Sequence, residues 1–210
     1  MISTTATIGQ KLQVFGYPEG MELDLGGVTH AFSDEEFLDF CARHPDARIE
    51  RESDGEIIIM PPAFTETGGR NASLSYFVMA WARKDRTGRA FESSTGFTLP
   101  NRALRSPDAS WVSNKRWNEL ANEEKAGFSR ISPDFVVELR STTDRLSKIQ
   151  AKMSEYMANG SSLGWLIDPI ERKVHIYRPK QEVEILDDPA EISGEDVMPD
   201  FILKLKEIWD

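Results

Sequence analysis

The stretch SPDFVVELRS, residues 132–141, contains the most apolar strand pattern in the chain. Its centre, FVVEL at 135–139, is a run of apolar residues interrupted by one carboxylate, which is typical of a strand buried on both faces. Glutamate is almost never fully buried unless it is paired or bound to a metal. The pattern therefore predicts a central strand in which Glu138 needs a partner.

The Ser-Pro-Asp triplet at the start of this stretch also occurs at 106–108, before another apolar run. Asp134 and Glu138 share a strand face but stand about 13 Å apart along it, too far for one cation whose ligands lie at about 2–2.5 Å. We therefore interpret Asp134 as the residue that starts its strand. Asp108 opens a separate strand, and adjacent strands lie about 4.8 Å apart. If the two strands are neighbours, Asp108 lies beside Glu138.

Two kinds of cation are available to Glu138. Arg140 stands two residues further on the same strand face, so a structural ion pair is one alternative. The other is Lys152, which forms a line with Lys148 and Tyr156 along the next predicted helix. Spacing alone leaves open whether these lysines reach the strand or are only solvated.

Helix and strand patterns alternate along the rest of the chain. Ser33 with Glu36 is a capping-box pattern that predicts a helix ended by His44-Pro45. Asp54-Gly55 predicts the turn of an N-terminal β-hairpin over 48–60. Apolar periodicity predicts longer helices at about 68–84 and 144–160. A helical insertion is predicted at 117–125 and further strands at 90–93, 96–99, 108–112, 162–168 and 173–179. We predict an N-terminal arm over 1–28 and one α/β domain with a mixed sheet over 29–210.

Composition limits the classes of function. The chain has 210 residues, one cysteine and a formal net charge of −10. Non-specific coating of nucleic acid is unfavourable at that charge, although a local basic patch is compatible with it. Arg83, Lys84, Arg86 and Arg89, together with Arg102 and Arg105, are candidates for such a patch. No apolar run reaches the length of a membrane span and no secretory signal is apparent, so we expect a cytoplasmic protein without membrane contact.

Three segments together resemble one known family. They are RSPDASWV at 105–112, PDFVVELRSTTD at 133–144 and KIQAKMSEYMANGSSLGWLIDP at 148–169. In this order they resemble the Uma2 (DUF820) family, and the resemblance extends over roughly residues 30–210. The family is placed among the PD-(D/E)xK nucleases, which implies a restriction-endonuclease-like mixed sheet flanked by helices. It also implies Mg²⁺-dependent hydrolysis of phosphodiester bonds, with Mn²⁺ as a substitute ion.

The resemblance also implies roles for particular residues. Asp108 matches the first motif aspartate and Glu138 the second acidic position, which makes both of them metal ligands. Arg140 stands where the motif has lysine and is not equivalent to it, so the catalytic lysine corresponds to Lys152, followed by Tyr156. Glu50 in the hairpin matches a further acidic position that supports the site. The segment GGRN at 68–71 lacks the histidine that many members carry there.

Three functional hypotheses follow from these observations. The first is a Mg²⁺-dependent endonuclease that acts on DNA, in which a homodimer would serve two-strand cleavage. The second is a catalytically weak or inactive nuclease-like fold that binds nucleic acid or a protein partner. The third is a structural interaction protein in which Arg140 or Lys152 neutralises Glu138.

Overall fold

The computed structural model describes residues 12–14 and 32–209, and its fold is mixed α+β. The helices are α1 Asp34–Arg43, α2 Thr65–Asp85, α3 Asn114–Glu119, α4 Asn122–Ala126, α5 Leu146–Ala158 and α6 Lys206–Trp209. The strands are β1 Leu12–Val14, β2 Arg48–Arg51, β3 Ile57–Met60, β4 Gly88–Glu92, β5 Phe97–Thr98, β6 Leu104–Arg105, β7 Ala109–Ser113, β8 Phe135–Leu139, β9 Leu163–Asp168, β10 Lys173–Tyr177, β11 Glu184–Asp187, β12 Glu191–Ser193 and β13 Ile202–Lys204.

The chain divides into two compact units. The first unit comprises Met1–Ala63 with Asn101–Arg105, and the second comprises Phe64–Pro100 with Ser106–Asp210. The arm predicted for residues 1–28 lies outside the described residues apart from β1. The prediction of a single domain over 29–210 stays a prediction.

The first unit contains α1 and the predicted hairpin. Ser33 caps α1 through its hydroxyl, while the Glu36 carboxylate accepts from the Ser33 amide, so the capping box is confirmed. Strands β2 and β3 pair antiparallel, and Gly55 turns between them with a φ of +91° that favours glycine. In this unit the strands lie in the order β1, β3, β2, β6, and β1 runs parallel to β3.

The second unit is built on a six-stranded mixed sheet with the order β11-β10-β9-β8-β7-β4. Strand β8 lies inside it, antiparallel to β7 and parallel to β9. Every residue of β8 is buried, as the apolar run predicts. A strand covered on both faces excludes water from its side chains, which explains why the one carboxylate of the run must find its partners inside the protein.

Helix α2 covers one face of this sheet. Its buried residues Leu74, Val78 and Trp81 belong to one hydrophobic cluster with Phe135 and Trp165 of the strands. Phe135 meets Trp165 edge-on with their ring centroids 4.7 Å apart, a favourable aromatic geometry. The predicted core residue Phe77 is only partly buried.

Helix α5 covers the opposite face and approaches it closely. Met153 and Tyr156 are its buried residues. Gly164 of β9 makes this approach possible, because a Cβ at that position would lie 2.5 Å from Cε of Met153. The close contact holds one side of α5 directly above β8 and its neighbours.

Candidate active site

The antiparallel pairing of β7 and β8 places the two candidate acidic residues at the same end of this strand pair. Ala109 lies opposite Val137, and Asp108 stands directly before β7. Oδ2 of Asp108 accepts a 2.8 Å hydrogen bond from the backbone N–H of Leu139, which fixes the carboxylate against β8. Asp108 and Glu138 are each only 6% exposed. The strand adjacency on which the prediction depended is therefore confirmed.

Asn71 of α2 holds the other oxygen of Asp108. Its Nδ2 donates to Oδ1 of Asp108 over 2.9 Å, and the residue is 7% exposed. Because an ionised carboxylate only accepts, this bond orients the amide with its oxygen turned away from Asp108. That oxygen, Oδ1, has no hydrogen-bond partner among the described residues. A buried acceptor without a partner is uncommon and typical of a site that holds a ligand or water.

Helix α5 supplies the partners of Glu138. Nζ of Lys152 lies 2.9 Å from Oε1 of Glu138, and the hydroxyl of Tyr156 donates to the same oxygen over 2.9 Å. The two helix residues are four apart, so they project from one side of α5 toward the strand. Tyr156 is fully buried, and the Lys152 side chain is 16% exposed. Lysine, tyrosine and glutamate thus form one hydrogen-bonded cluster.

Arg140 pairs with a different carboxylate. Its Nη1 lies 2.6 Å from Oδ2 of the fully buried Asp168 and 3.8 Å from Glu171. The ion pair between Arg140 and Glu138 that the sequence left open is therefore replaced by the pair of Lys152 with Glu138. Nearby, burial lowers the pKa of His175, while the charge of Asp168 opposes that shift.

Asp134, the aspartate of the second Ser-Pro-Asp triplet, has a structural environment. Its Oδ2 accepts from the backbone N–H of Ser113 at 2.8 Å, and its Oδ1 lies 3.2 Å from Nη1 of Arg116. These contacts tie the start of β8 to the end of β7. The contacts agree with the interpretation of Asp134 as the residue that starts its strand.

Glu50 lies in the first unit, on β2, and is 3% exposed. Oε2 of Glu50 is 3.5 Å from Nη1 of Arg105, which also pairs with Glu52. Arg102 pairs with Asp34 in the same unit. Arg102 and Arg105 therefore carry acidic partners, unlike the exposed cations that the sequence placed with them in one basic patch.

The donor set of the second unit suits a hard cation. Asp108 and Glu138 offer carboxylate oxygens from the same end of the β7–β8 pair, and Asn71 offers a buried amide oxygen that has no hydrogen-bond partner among the described residues. Across residues 32–209, no three acidic, histidine or cysteine side chains are grouped around one metal position. Mg²⁺ is often held by one or two carboxylates and several waters, so the residues present fit this ion.

Sequence reasoning did not predict a role for Asn71. A pattern was nevertheless present, because residues 71, 74, 78 and 81 follow the spacing of one helix face. Asn71 is the polar member of that otherwise apolar stripe. A buried asparagine needs partners in the folded protein, and here one of them is the motif aspartate.

The mixed α+β fold is that of the restriction-endonuclease-like class. The Uma2 family model, described as "Putative restriction endonuclease", matches residues 34–206. The chain belongs to the Uma2 family. The resemblance stated from the sequence is thereby confirmed.

A solved structure shows the same architecture. It is the crystal structure of "a putative nuclease belonging to DUF820" from Anabaena variabilis, with a TM-score of 0.66 and 25% sequence identity. The match covers 77% of this chain and 89% of that chain. No curated protein matches the chain. Within the described part of the chain, no helix is long and apolar enough to cross a bilayer.

Proposed function

We propose that this protein is a Mg²⁺-dependent endonuclease that hydrolyses phosphodiester bonds of DNA, with Asp108 and Glu138 as the ligands of the ion. The observation that supports the proposal is that the buried Asp108 carboxylate accepts from the backbone N–H of Leu139, the residue next to the buried Glu138, while Lys152 pairs with Glu138. Membership of a family described as "Putative restriction endonuclease" supports the reaction class.

Each residue of the cluster has a role in this proposal. A bound Mg²⁺ supplies Lewis-acid polarisation of the phosphate and a lowered pKa of the attacking water. Tyr156 and Lys152 fix the Glu138 carboxylate from above. The Lys152 ammonium carries three donors, so it also serves to stabilise negative charge that develops on the phosphate. Asn71 holds Asp108 in place through its amide nitrogen.

Arg140 and Glu50 have supporting roles in the proposal. Arg140 donates one hydrogen bond to Asp168, and its guanidinium has five N–H donors in all. We therefore assign its remaining donors to an oxygen of a phosphate near the reacting phosphate. Glu50 is proposed to support the metal site, as its match to an acidic family position implies. Mn²⁺ is expected to replace Mg²⁺, and a homodimer and a cytoplasmic location remain predictions.

A second candidate function is nucleic-acid binding without efficient hydrolysis. It is favoured by one observation, namely that Oε1 of Glu138 already faces both Lys152 and Tyr156. In that arrangement a cation of the protein balances the glutamate charge. If this candidate holds, the carboxylate pair is a structural remnant and the fold is used for recognition.

The proposal is tested by titrating Mn²⁺ and Mg²⁺ calorimetrically into the wild-type protein and the variants Asp108→Asn and Glu138→Gln. We expect both substitutions to abolish binding and cleavage of supercoiled DNA. Asp134→Asn is the matched control, since it alters the aspartate of the other Ser-Pro-Asp triplet and should retain metal binding. Circular dichroism reports whether each variant is folded.

The two candidate functions give different results. Metal binding with cleavage supports the endonuclease, whereas DNA binding without metal dependence supports the second candidate. Equal heats for wild type, Asp108→Asn and Glu138→Gln would place the ion elsewhere and end the proposal.

A further inference from the structure

A second polar feature of the sheet unit is a basic groove at the opposite end of β7 from Asp108. It has a volume of about 480 Å³, and the end of α2, strand β4 and the start of α3 line it. Its lining includes Arg83, Arg86, Arg89, Asn114 and Trp117.

The arginines of the basic groove have no acidic partner among the described residues. Arg83, Arg86 and Arg89 are exposed, and within residues 32–209 they form no ion pair. The neighbouring carboxylates are engaged locally. Asp85 accepts from the backbone N–H of Thr87 at 3.1 Å, and Glu92 accepts from that of Ser94 at 3.0 Å. The lining of the groove contains three arginines and no acidic residue, so the groove is locally positive in a protein whose formal net charge is −10.

The side chain of one of the three arginines and the backbone of a second are held in place. The Arg89 guanidinium lies 5.3 Å from the centroid of the Trp117 ring, a cation–π distance, and Trp117 contacts Phe91. Arg86 adopts a left-handed backbone with φ of 64°, and its carbonyl accepts from Nδ2 of Asn114 at 2.8 Å. Positioning before a ligand arrives lowers the entropic cost of binding.

A purely structural reason for these cations accounts for only part of the cluster. Basic residues near a helix C-terminus interact favourably with the helix dipole, which explains Arg83 close to the end of α2. Arg89 belongs to β4 and stacks on a tryptophan instead, so the dipole does not explain it. The convergence of helix and strand arginines on one groove points to an anionic ligand.

We propose that the basic groove binds the phosphodiester backbone of nucleic acid; this inference rests on the proposed endonuclease function and extends it. Guanidinium groups bind phosphate oxygens through paired hydrogen bonds. From Asp108 to Asn114 a strand spans about 20 Å. At about 3.4 Å per nucleotide along one strand of a duplex, that is about six nucleotides. The groove thus holds the substrate at a distance from the reacting phosphate.

The test is fluorescence anisotropy of a labelled 20-base-pair duplex in EDTA, which measures binding without cleavage, between 20 and 200 mM NaCl. The test protein is the triple variant Arg83→Gln, Arg86→Gln and Arg89→Gln. The matched control is Lys180→Gln, Lys204→Gln and Lys206→Gln, which removes the same charge from exposed positions elsewhere. Glutamine retains part of the side-chain stem in both variants.

The plot of the logarithm of the binding constant against the logarithm of the salt concentration has a negative slope, to which each phosphate contact contributes about −0.9. Loss of three contacts should therefore make this slope less steep by about 3. We expect at least a tenfold loss of affinity in the groove variant and much less in the control. Equal losses in both variants, or no loss in either, would overturn the groove assignment while leaving the metal-binding test of the proposed function intact. If wild type binds no duplex at all, the basic-groove inference fails, and metal-stimulated cleavage then decides the proposed function separately.

Discussion

The contact between Lys152 and Glu138 yields the sharpest prediction about this protein. At the 2.9 Å separation of Nζ and Oε1, Coulomb attraction is about 6 kcal/mol at an effective dielectric constant of about 20. The desolvation of two largely buried ions opposes this attraction by several kcal/mol. The Lys152 side chain retains 16% exposure, so solvent screening lowers the value further. We expect a net coupling of about 1–3 kcal/mol.

A double-mutant cycle measures this coupling directly. The variants are Lys152→Met, Glu138→Gln and both together, unfolded with urea in EDTA. Lys152→Met alone leaves a buried carboxylate with less compensation, so the free energy of unfolding should fall by about 2–4 kcal/mol. The double variant should recover part of this loss. Lys148→Met, one turn earlier on α5 and exposed, serves as the control and should lie within about 0.5 kcal/mol of wild type.

Adding Mn²⁺ to the same proteins separates a metal site from an inert ion pair. At about 100 times its dissociation constant, a ligand bound only by the folded state adds about 2.7 kcal/mol. Wild type should show this gain, and Glu138→Gln should not. A coupling energy below about 0.5 kcal/mol in EDTA would refute the electrostatic reasoning. An equal gain from Mn²⁺ in both proteins would refute the assignment of Glu138 as a ligand.

Three further predictions follow from buried groups. Asn71→Leu removes the amide that holds Asp108, so stability should fall by about 1–3 kcal/mol and calorimetric Mn²⁺ affinity should fall with it; unchanged affinity would contradict the role of Asn71. Burial lowers the pKa of His175, so the folded state binds its proton at lower pH than the unfolded chain does. The contribution of neutral His175 to the free energy of unfolding is therefore fully present above about pH 6.5 and is lost as the pH falls below that value. In His175→Gln the difference between the urea midpoints at pH 7.5 and pH 5.5 should be smaller than in wild type. An unchanged difference would contradict this prediction. Burial raises the pKa of Cys41 to about 12, so native iodoacetamide labelling at pH 8 should be about 1000-fold slower than in urea, whereas comparable rates would show an accessible thiolate.

Local patterns were sufficient to predict several elements. The capping box of Ser33 and Glu36 lies within four residues, and the Asp54-Gly55 turn within two, so neighbouring backbone groups satisfy both. The buried strand at 135–139 was predicted because its apolar composition fits only a water-free position. These features depend on local composition or on interactions between residues that are close in the sequence.

The adjacency of the strands that carry Asp108 and Glu138 was a condition of the prediction. Two carboxylates at strand positions suggest a shared cation, and the antiparallel pairing of β7 and β8 puts both residues at one end of the strand pair. The choice of partner for Glu138 was open for the same reason. Arg140 is nearer to Glu138 in sequence, but it pairs with Asp168 on the adjacent β9. Lys152 on α5 pairs with Glu138 instead.

The sequence by itself therefore determined the central strand, the N-terminal cap of α1 and the hairpin, because these depend on local periodicity and composition, while the motif residues were implied by the resemblance to the Uma2 family. Only the tertiary structure decided which side chains meet. It placed Asn71 against Asp108 and gave acidic partners to Arg102 and Arg105, whereas the arginines of the basic groove have none within residues 32–209. The physical reason is that hydrogen bonds and ion pairs act over about 3 Å, so their partners depend on how helices pack on the sheet, which short-range sequence patterns do not specify.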